Sequence, residues 1–135
     1  MDPLRVIVVD DESLARRGLR LRLDSIDNVE ILAECSNGLE AINKIAELEP
    51  DLIFLDIQMP KMNGFDVVSN LQQDNLPLII FVTAFDEYAV EAFDIHAVDY
   101  LLKPIEPQRL EAAIERARSQ HMSKRAETEK ESLLG

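Results

Sequence analysis

Four apolar runs in this sequence each end on a polar side chain able to do chemistry. Val6-Ile7-Val8-Val9 leads into Asp10-Asp11, Leu52-Ile53-Phe54-Leu55 into Asp56, Leu78-Ile79-Ile80-Phe81-Val82 into Thr83, and Tyr100-Leu101-Leu102 into Lys103-Pro104. A carboxylate cannot be sealed in an apolar sheet without a partner, so Asp56 belongs at a rim. Three carboxylates in one pocket repel, and at least one pKa rises unless a cation intervenes. A hard divalent ion answers that repulsion, because carboxylate oxygens and water suit magnesium. Asp10 or Asp11, Asp56 and the backbone carbonyl of Gln58 would supply the protein oxygens. An aspartate so placed can act as nucleophile and carry an aspartyl-phosphate. Lys103 adds a point charge and Thr83 a hydroxyl donor. The expected chemistry is phosphoryl transfer to Asp56, driven by positioning and electrostatics.

Each piece taken alone has a duller explanation. Asp10-Asp11 would favour the N-terminus of a following helix. Asp56 would start an Asx-type turn, Thr83 would be an ordinary strand residue, and Lys103-Pro104 a solvated loop. Their conjunction at strand ends is what favours one shared site.

The elements that must position these groups follow from hydrophobic period and breakers. Strands are expected over Leu4–Val9, Val29–Cys35, Leu52–Leu55, Leu78–Val82 and Asp99–Leu102, as short branched-rich runs bounded by turn formers. Helices are expected over Ser13–Leu23 with Ser13 as N-cap, Leu39–Leu48 after an Asn37-Gly38 turn and ended by Pro50, Phe65–Gln72, Tyr88–Phe93, and from Pro107 onward. The first helix is expected to turn Leu14, Ala15, Gly18 and Leu19 to the sheet and to keep Arg16, Arg17, Arg20 and Arg22 wet. Ile42, Ile45 and Ala46 should form the second helix's inner face; Leu110, Ala113, Ile114 and Ala117 should form that of the last. Beyond His121 the chain is charged and core-poor, which reads as a helix extension or the start of a linker.

Alternating strands and helices imply right-handed βαβ units and a parallel sheet covered on both faces. Ligands of such sheets bind beyond the carboxyl ends of the strands. Asp10, Asp11, Asp56, Thr83 and Lys103 all fall on that edge.

The 135 residues suit one domain, with 47% hydrophobic and 30% charged residues in an ordinary globular balance. A net charge of -12 argues against a direct grip on nucleic acid. The single cysteine, Cys35, reads as a small core residue in a reducing compartment. No apolar stretch reaches membrane-spanning length and no signal-peptide pattern opens the chain, so a cytoplasmic protein is expected. His96 and His121 are expected to face solvent.

With those residues placed, the sequence from Leu4 to His121 resembles the receiver domain of bacterial two-component response regulators, the CheY-like family. Asp10-Asp11, Asp56 with Met59-Pro60 and Gly64, Thr83-Ala84 and Lys103-Pro104 carry the resemblance. It implies a flavodoxin-like, doubly wound α/β fold: a five-stranded parallel sheet of order 2-1-3-4-5 flanked by five helices. Residues 1–121 would form the receiver and 122–135 the extension or linker start. It implies that Asp56 accepts phosphate from a sensor histidine kinase with Mg2+, so the chain catalyses only its own phosphorylation and dephosphorylation. It further implies a cis Lys103-Pro104 bond aiming Lys103 inward, and Thr83 and Tyr100 as switch residues. A homodimer through the fourth helix, fifth strand and fifth helix belongs to the same set. The stretches 83–89 and 97–104 look like regulators carrying a LytTR-type DNA-binding domain. None is in this chain, so DNA would be met only through an output domain, and an isolated receiver of a longer regulator is expected. A haloacid-dehalogenase-like phosphatase would need a second acid at position 58, which holds glutamine. A flavin site would need a phosphate-cradling loop where Asp10-Asp11-Glu12 stands.

Overall fold

The computed structural model describes residues 2–134. Five strands alternate with five helices: β1 (Leu4–Val9), α1 (Ser13–Asp24), β2 (Val29–Cys35), α2 (Gly38–Leu48), β3 (Leu52–Leu55), α3 (Gly64–Ser69), β4 (Leu78–Thr83), α4 (Ala89–Asp94), β5 (Asp99–Leu102) and α5 (Pro107–Leu134), with a 3-10 turn over Gln73–Asn75. The strands form one parallel sheet of order β2-β1-β3-β4-β5, as the sequence pattern predicts. β3 is buried at every position, which is why it reads as an unbroken apolar run rather than an alternating one.

Alternate side chains of the central strands feed two cores. Val6, Val8, Leu52, Phe54, Ile80 and Val82 pack with Leu19 and Leu23 of α1 and with Leu110, Ala113, Ile114 and Ala117 of α5. Ile7, Val9, Ile53, Leu55, Ile79 and Phe81 pack with Ala41 and Ile45 of α2, Val67 and Val68 of α3, and Ala92 of α4. Cys35 lies in this second core, fully buried, its thiol pushed up to about 12 chiefly by burial. It is an inert packing residue, as expected.

Several local expectations are corrected. The N-cap of α1 is Glu12, not Ser13, and it makes no side-chain cap; the Asp10 carboxylate accepts the Glu12 N–H at 2.9 Å instead. Leu14 is 82% exposed, because the inward stripe of α1 is set by Leu19 and Leu23, and Leu14 falls outside it. Arg16 is half-buried rather than wet, its guanidinium donating to the Asp10 carbonyl at 2.7 Å. On α2, Ala41 takes the inward place expected of Ala46, which is exposed. Asn37 is the N-cap of α2, its side chain accepting from the Glu40 N–H, so the turn reading becomes a cap. α3 stops at Ser69, three residues short of Gln72. α5 runs unbroken past His121 to Leu134. Met1 and Gly135, the outer ends of the two segments expected from the sequence, lie outside the described residues.

Candidate functional site

Strand register builds the site. Val9 pairs with Leu55 in β1 and β3, so the next residues, Asp10 and Asp56, leave neighbouring strands level with each other. The Asp56 N–H donates to the Val9 carbonyl at 3.0 Å and extends the ladder one step. Thr83 closes β4, pairs with Leu102 of β5, and accepts the Lys103 N–H on its carbonyl at 2.8 Å. β5 lies two strands from β3, roughly 10 Å at ordinary strand spacing, and only a long side chain spans that gap.

Lys103 spans it. Its Nζ lies 2.7 Å from Asp10 Oδ2 and 3.1 Å from Asp56 Oδ2. The Lys103-Pro104 peptide is cis, as the resemblance implies. Asp10, Asp11 and Asp56 each offer a carboxylate oxygen within 4.8 Å of the others. Asp10 and Asp56 are buried and Asp11 is exposed. Burial pushes the Asp56 carboxyl above its ordinary value; the Lys103 ammonium only partly counters this, and the Asp10 charge adds to it. Burial opposes the Lys103 ammonium too, yet its two carboxylate hydrogen bonds prevail, and its pKa is raised. One ammonium is shared by two carboxylates with a third beside them, so the cluster keeps a surplus of negative charge. An all-oxygen, anionic donor set of this kind fits a hard divalent cation.

The remaining groups frame that cluster. Gln58 donates its N–H to Asp56 Oδ1 at 3.3 Å, which is the Asx-type bond of the duller reading, present together with the cluster rather than instead of it. Gly64 passes so close to Asp56 that a Cβ there would lie 2.6 Å from the Asp56 carbonyl oxygen, and its N–H donates to the Ile57 carbonyl at 2.8 Å. Only glycine fits that approach. The capping box of α3, Asn63 with Asp66, holds the far end of the same loop. Thr83 is fully buried, and its Oγ1 accepts the Phe85 N–H at 3.4 Å. The Phe85 carbonyl in turn accepts the Tyr100 hydroxyl. Tyr100 is half-buried, its ring against the edge of the second core and its hydroxyl turned to the loop after β4.

Sequence reasoning put Asp10, Asp11, Asp56, Thr83 and Lys103 on one edge, where the structure has them, but missed two neighbours. Arg16 grips the Asp10 backbone, and Tyr88, where α4 begins, accepts a hydrogen bond from Gln58 Nε2 at 2.9 Å. Neither bears a signal in spacing alone, since both depend on how loops from different strands converge. His96 is exposed, as expected. His121 is not: its Nε2 lies 3.7 Å from Asp51 Oδ1 at the opposite end of the sheet. No described helix is long and apolar enough to cross a membrane.

Comparison with known proteins agrees with this geometry. The chain is 51% identical over 117 residues to the transcriptional regulatory protein BtsR of Salmonella typhi, covering 87% of this chain and 49% of that protein. It is 57% identical over 113 residues to an uncharacterized response regulatory protein of Yersinia pestis, covering 84% and 48%. The chain thus spans about half the length of the curated relatives it matches. Among solved structures, the response regulatory domain of mrkE from Klebsiella pneumoniae superposes with a TM-score of 0.79 at 32% identity, over 88% of this chain and 98% of that one. The family model described as the response regulator receiver domain matches residues 6–115. With the sheet order, the acidic cluster and that match in agreement, the chain belongs to the response regulator receiver domain family.

Proposed function

We propose that this chain is a phosphorylation-dependent switch in which Asp56 accepts a phosphoryl group from the phosphohistidine of a sensor kinase. The observation that carries the reading is the buried Asp10–Lys103–Asp56 bridge with Asp11 beside it at one sheet edge. An Asp56 carboxylate oxygen attacks phosphorus as the phosphorus–nitrogen bond breaks in a donor ring protonated on its other nitrogen, leaving neutral imidazole and an aspartyl-phosphate. Asp10, Asp11, Asp56 and the Gln58 carbonyl would hold Mg2+, which supplies positive charge to the phosphoryl oxygens during transfer. Lys103 stays within reach of the phosphoryl group because its aliphatic stem enters from β5. The Thr83 hydroxyl already accepts from Phe85, which leaves its proton free to donate.

The same contacts supply a route outward. Thr83 moving toward a phosphoryl group would pull on the Phe85 N–H and release the Tyr100 hydroxyl from the Phe85 carbonyl, letting Tyr100 turn inward. Val90 and Phe93 on α4 and Leu102 on β5 are exposed apolar side chains on the face where a homodimer would form. We take residues 1–121 as the receiver and 122–135 as an extension. We read the chain as the cytoplasmic receiver of a LytTR-type transcription regulator, with any DNA contact made by an output domain outside it. It turns over no substrate other than its own phosphoryl group.

The test is labelling with acetyl phosphate. The wild-type chain with Mg2+ should take up one phosphoryl group, and chelation of the metal should prevent it. Asp56→Asn should take up none; robust labelling of that variant would overturn the assignment.

A further inference from the structure

We propose that Arg16 is a positioning residue for the cation site: its guanidinium fixes the plane of the Asp10–Asp11 peptide and so sets where the Asp11 carboxylate stands. The inference rests on the Mg2+ reading of the acidic cluster and adds what holds its exposed member in place. Asp10 is fixed by its own contacts. Its N–H donates to the Cys35 carbonyl at 3.0 Å, its Oδ1 accepts the Glu12 N–H at 2.9 Å, and its Oδ2 accepts from Lys103 Nζ at 2.7 Å. Asp11 differs. Its side chain is exposed and makes no hydrogen bond or ion pair among the described residues, yet it offers an oxygen within 4.8 Å of those of Asp10 and Asp56. Its place must therefore come through the backbone.

The peptide unit is planar, so a carbonyl oxygen held in place fixes the direction in which the next N and Cα leave. Arg16 Nη1 donates to the Asp10 carbonyl at 2.7 Å, a charge-assisted bond from a rigid planar head. The residue is itself well anchored. Its N–H donates to the Glu12 carbonyl at 3.1 Å as α1 opens, and its half-buried side chain reaches back over the first turn. The guanidinium pairs with no carboxylate among the described residues, and the Asp10 carbonyl is its partner there. Charge alone would argue against an arginine at this point, because a cation beside a cation site repels what the site binds. Arg16 favours the metal only through geometry. The two effects have opposite signs, which makes them separable.

The test measures Mg2+ binding by calorimetry on the unphosphorylated chain, for wild type, Arg16→Ala, Arg16→Met, Arg16→Lys and Arg17→Ala. Arg16→Met keeps the aliphatic stem and removes the donors, so the readout survives if Arg16→Ala folds poorly. Arg17 is the exposed neighbour; its loss removes the same charge and no contact with Asp10. Arg16→Ala and Arg16→Met should each raise the Mg2+ dissociation constant about tenfold, the usual cost of losing a group that orients a metal ligand. Arg16→Lys, whose ammonium can still donate to the carbonyl, should recover most of that loss, and Arg17→Ala should bind Mg2+ at least as tightly as wild type. The Mg2+ concentration giving half-maximal acetyl phosphate labelling should rise with the dissociation constant, with a smaller change in the maximal rate. An arginine that merely tethered α1 would lower the melting temperature in chelator and leave the dissociation constant alone. Binding that is unchanged or tighter in Arg16→Met, equally weakened in Arg17→Ala, or not recovered in Arg16→Lys would overturn the positioning role. A wild-type chain that binds Mg2+ but takes up no phosphate would overturn the phosphoryl reading and leave this role standing; one that binds no Mg2+ would overturn the role itself.

Discussion

Two aspartates flank the same four-residue strand, and the chain treats them oppositely. Asp51 enters β3 at the amino edge. Its Oδ2 accepts the Arg5 N–H at 2.8 Å and its Oδ1 faces His121 Nε2, while the Arg5 guanidinium satisfies the Leu48 and Glu49 carbonyls where α2 ends. One carboxylate there meets a backbone N–H and an imidazole, and its contacts are structural. Asp56 leaves β3 at the carboxyl edge, where it shares one ammonium with Asp10 and has Asp11 at hand. The strand is the same and the residue type is the same. What separates a fastening from a reactive site is unbalanced charge where loops from several strands converge.

That contrast can be broken from either end. The largest effect expected is for Lys103→Ala, which leaves two buried carboxylates facing each other. In chelator it should lose about 3 kcal/mol of unfolding free energy by urea titration. It should still bind Mg2+ by calorimetry, yet fail to show phosphorylation-dependent dimerisation. Next, Mg2+ at a hundredfold its dissociation constant should stabilise the wild-type chain by about 2.7 kcal/mol. Asp51→Ala should show the same increment and Asp56→Asn a smaller one. Gly64→Ala should cost about 1–3 kcal/mol, because its Cβ would collide with the Asp56 backbone, and acetyl phosphate labelling should slow with it. Asp51→Ala should cost about 1–2 kcal/mol through the orphaned Arg5 N–H and leave labelling untouched.

The subtlest signature is in pH. The folded pKa of Asp56 is raised, mainly by burial. Its contribution to stability is thus greatest below the unfolded value of about 3.9 and is lost as pH rises through the folded value. Asp56→Asn should therefore melt above wild type at pH 7 without metal, with the gap closing under acid. Lys103, also raised, follows the same sign in a higher window: its stabilising contribution is present throughout neutral pH and fades only as pH climbs through its folded value.

The sheet and the site were legible in the sequence because they rest on the same signal. Short apolar runs ending in Asp10, Asp56, Thr83 and Lys103 fix both a buried parallel sheet and the edge where polar groups gather. Helix faces were less legible. Leu14 is apolar but falls outside the stripe of α1 set by Leu19 and Leu23, and its exposure follows from that helical phase rather than from its type. The Ser13 cap failed because the helix opens one residue earlier, the Glu12 carbonyl already accepting the Arg16 N–H at 3.1 Å. His121 and Tyr88 find partners some 70 and 30 residues away along the chain, and no local pattern announces such pairs.

The central claim is that chemistry belongs to the aspartate that leaves β3 and not to the one that enters it. Acetyl phosphate and Mg2+ should be given side by side to wild type, Asp51→Asn and Asp56→Asn, with the modified peptide located by mass spectrometry. Labelling should be equal in the first two, confined to Asp56, and absent from the third. A phosphoryl group on any other residue of the wild-type chain, or one surviving in Asp56→Asn, would contradict it.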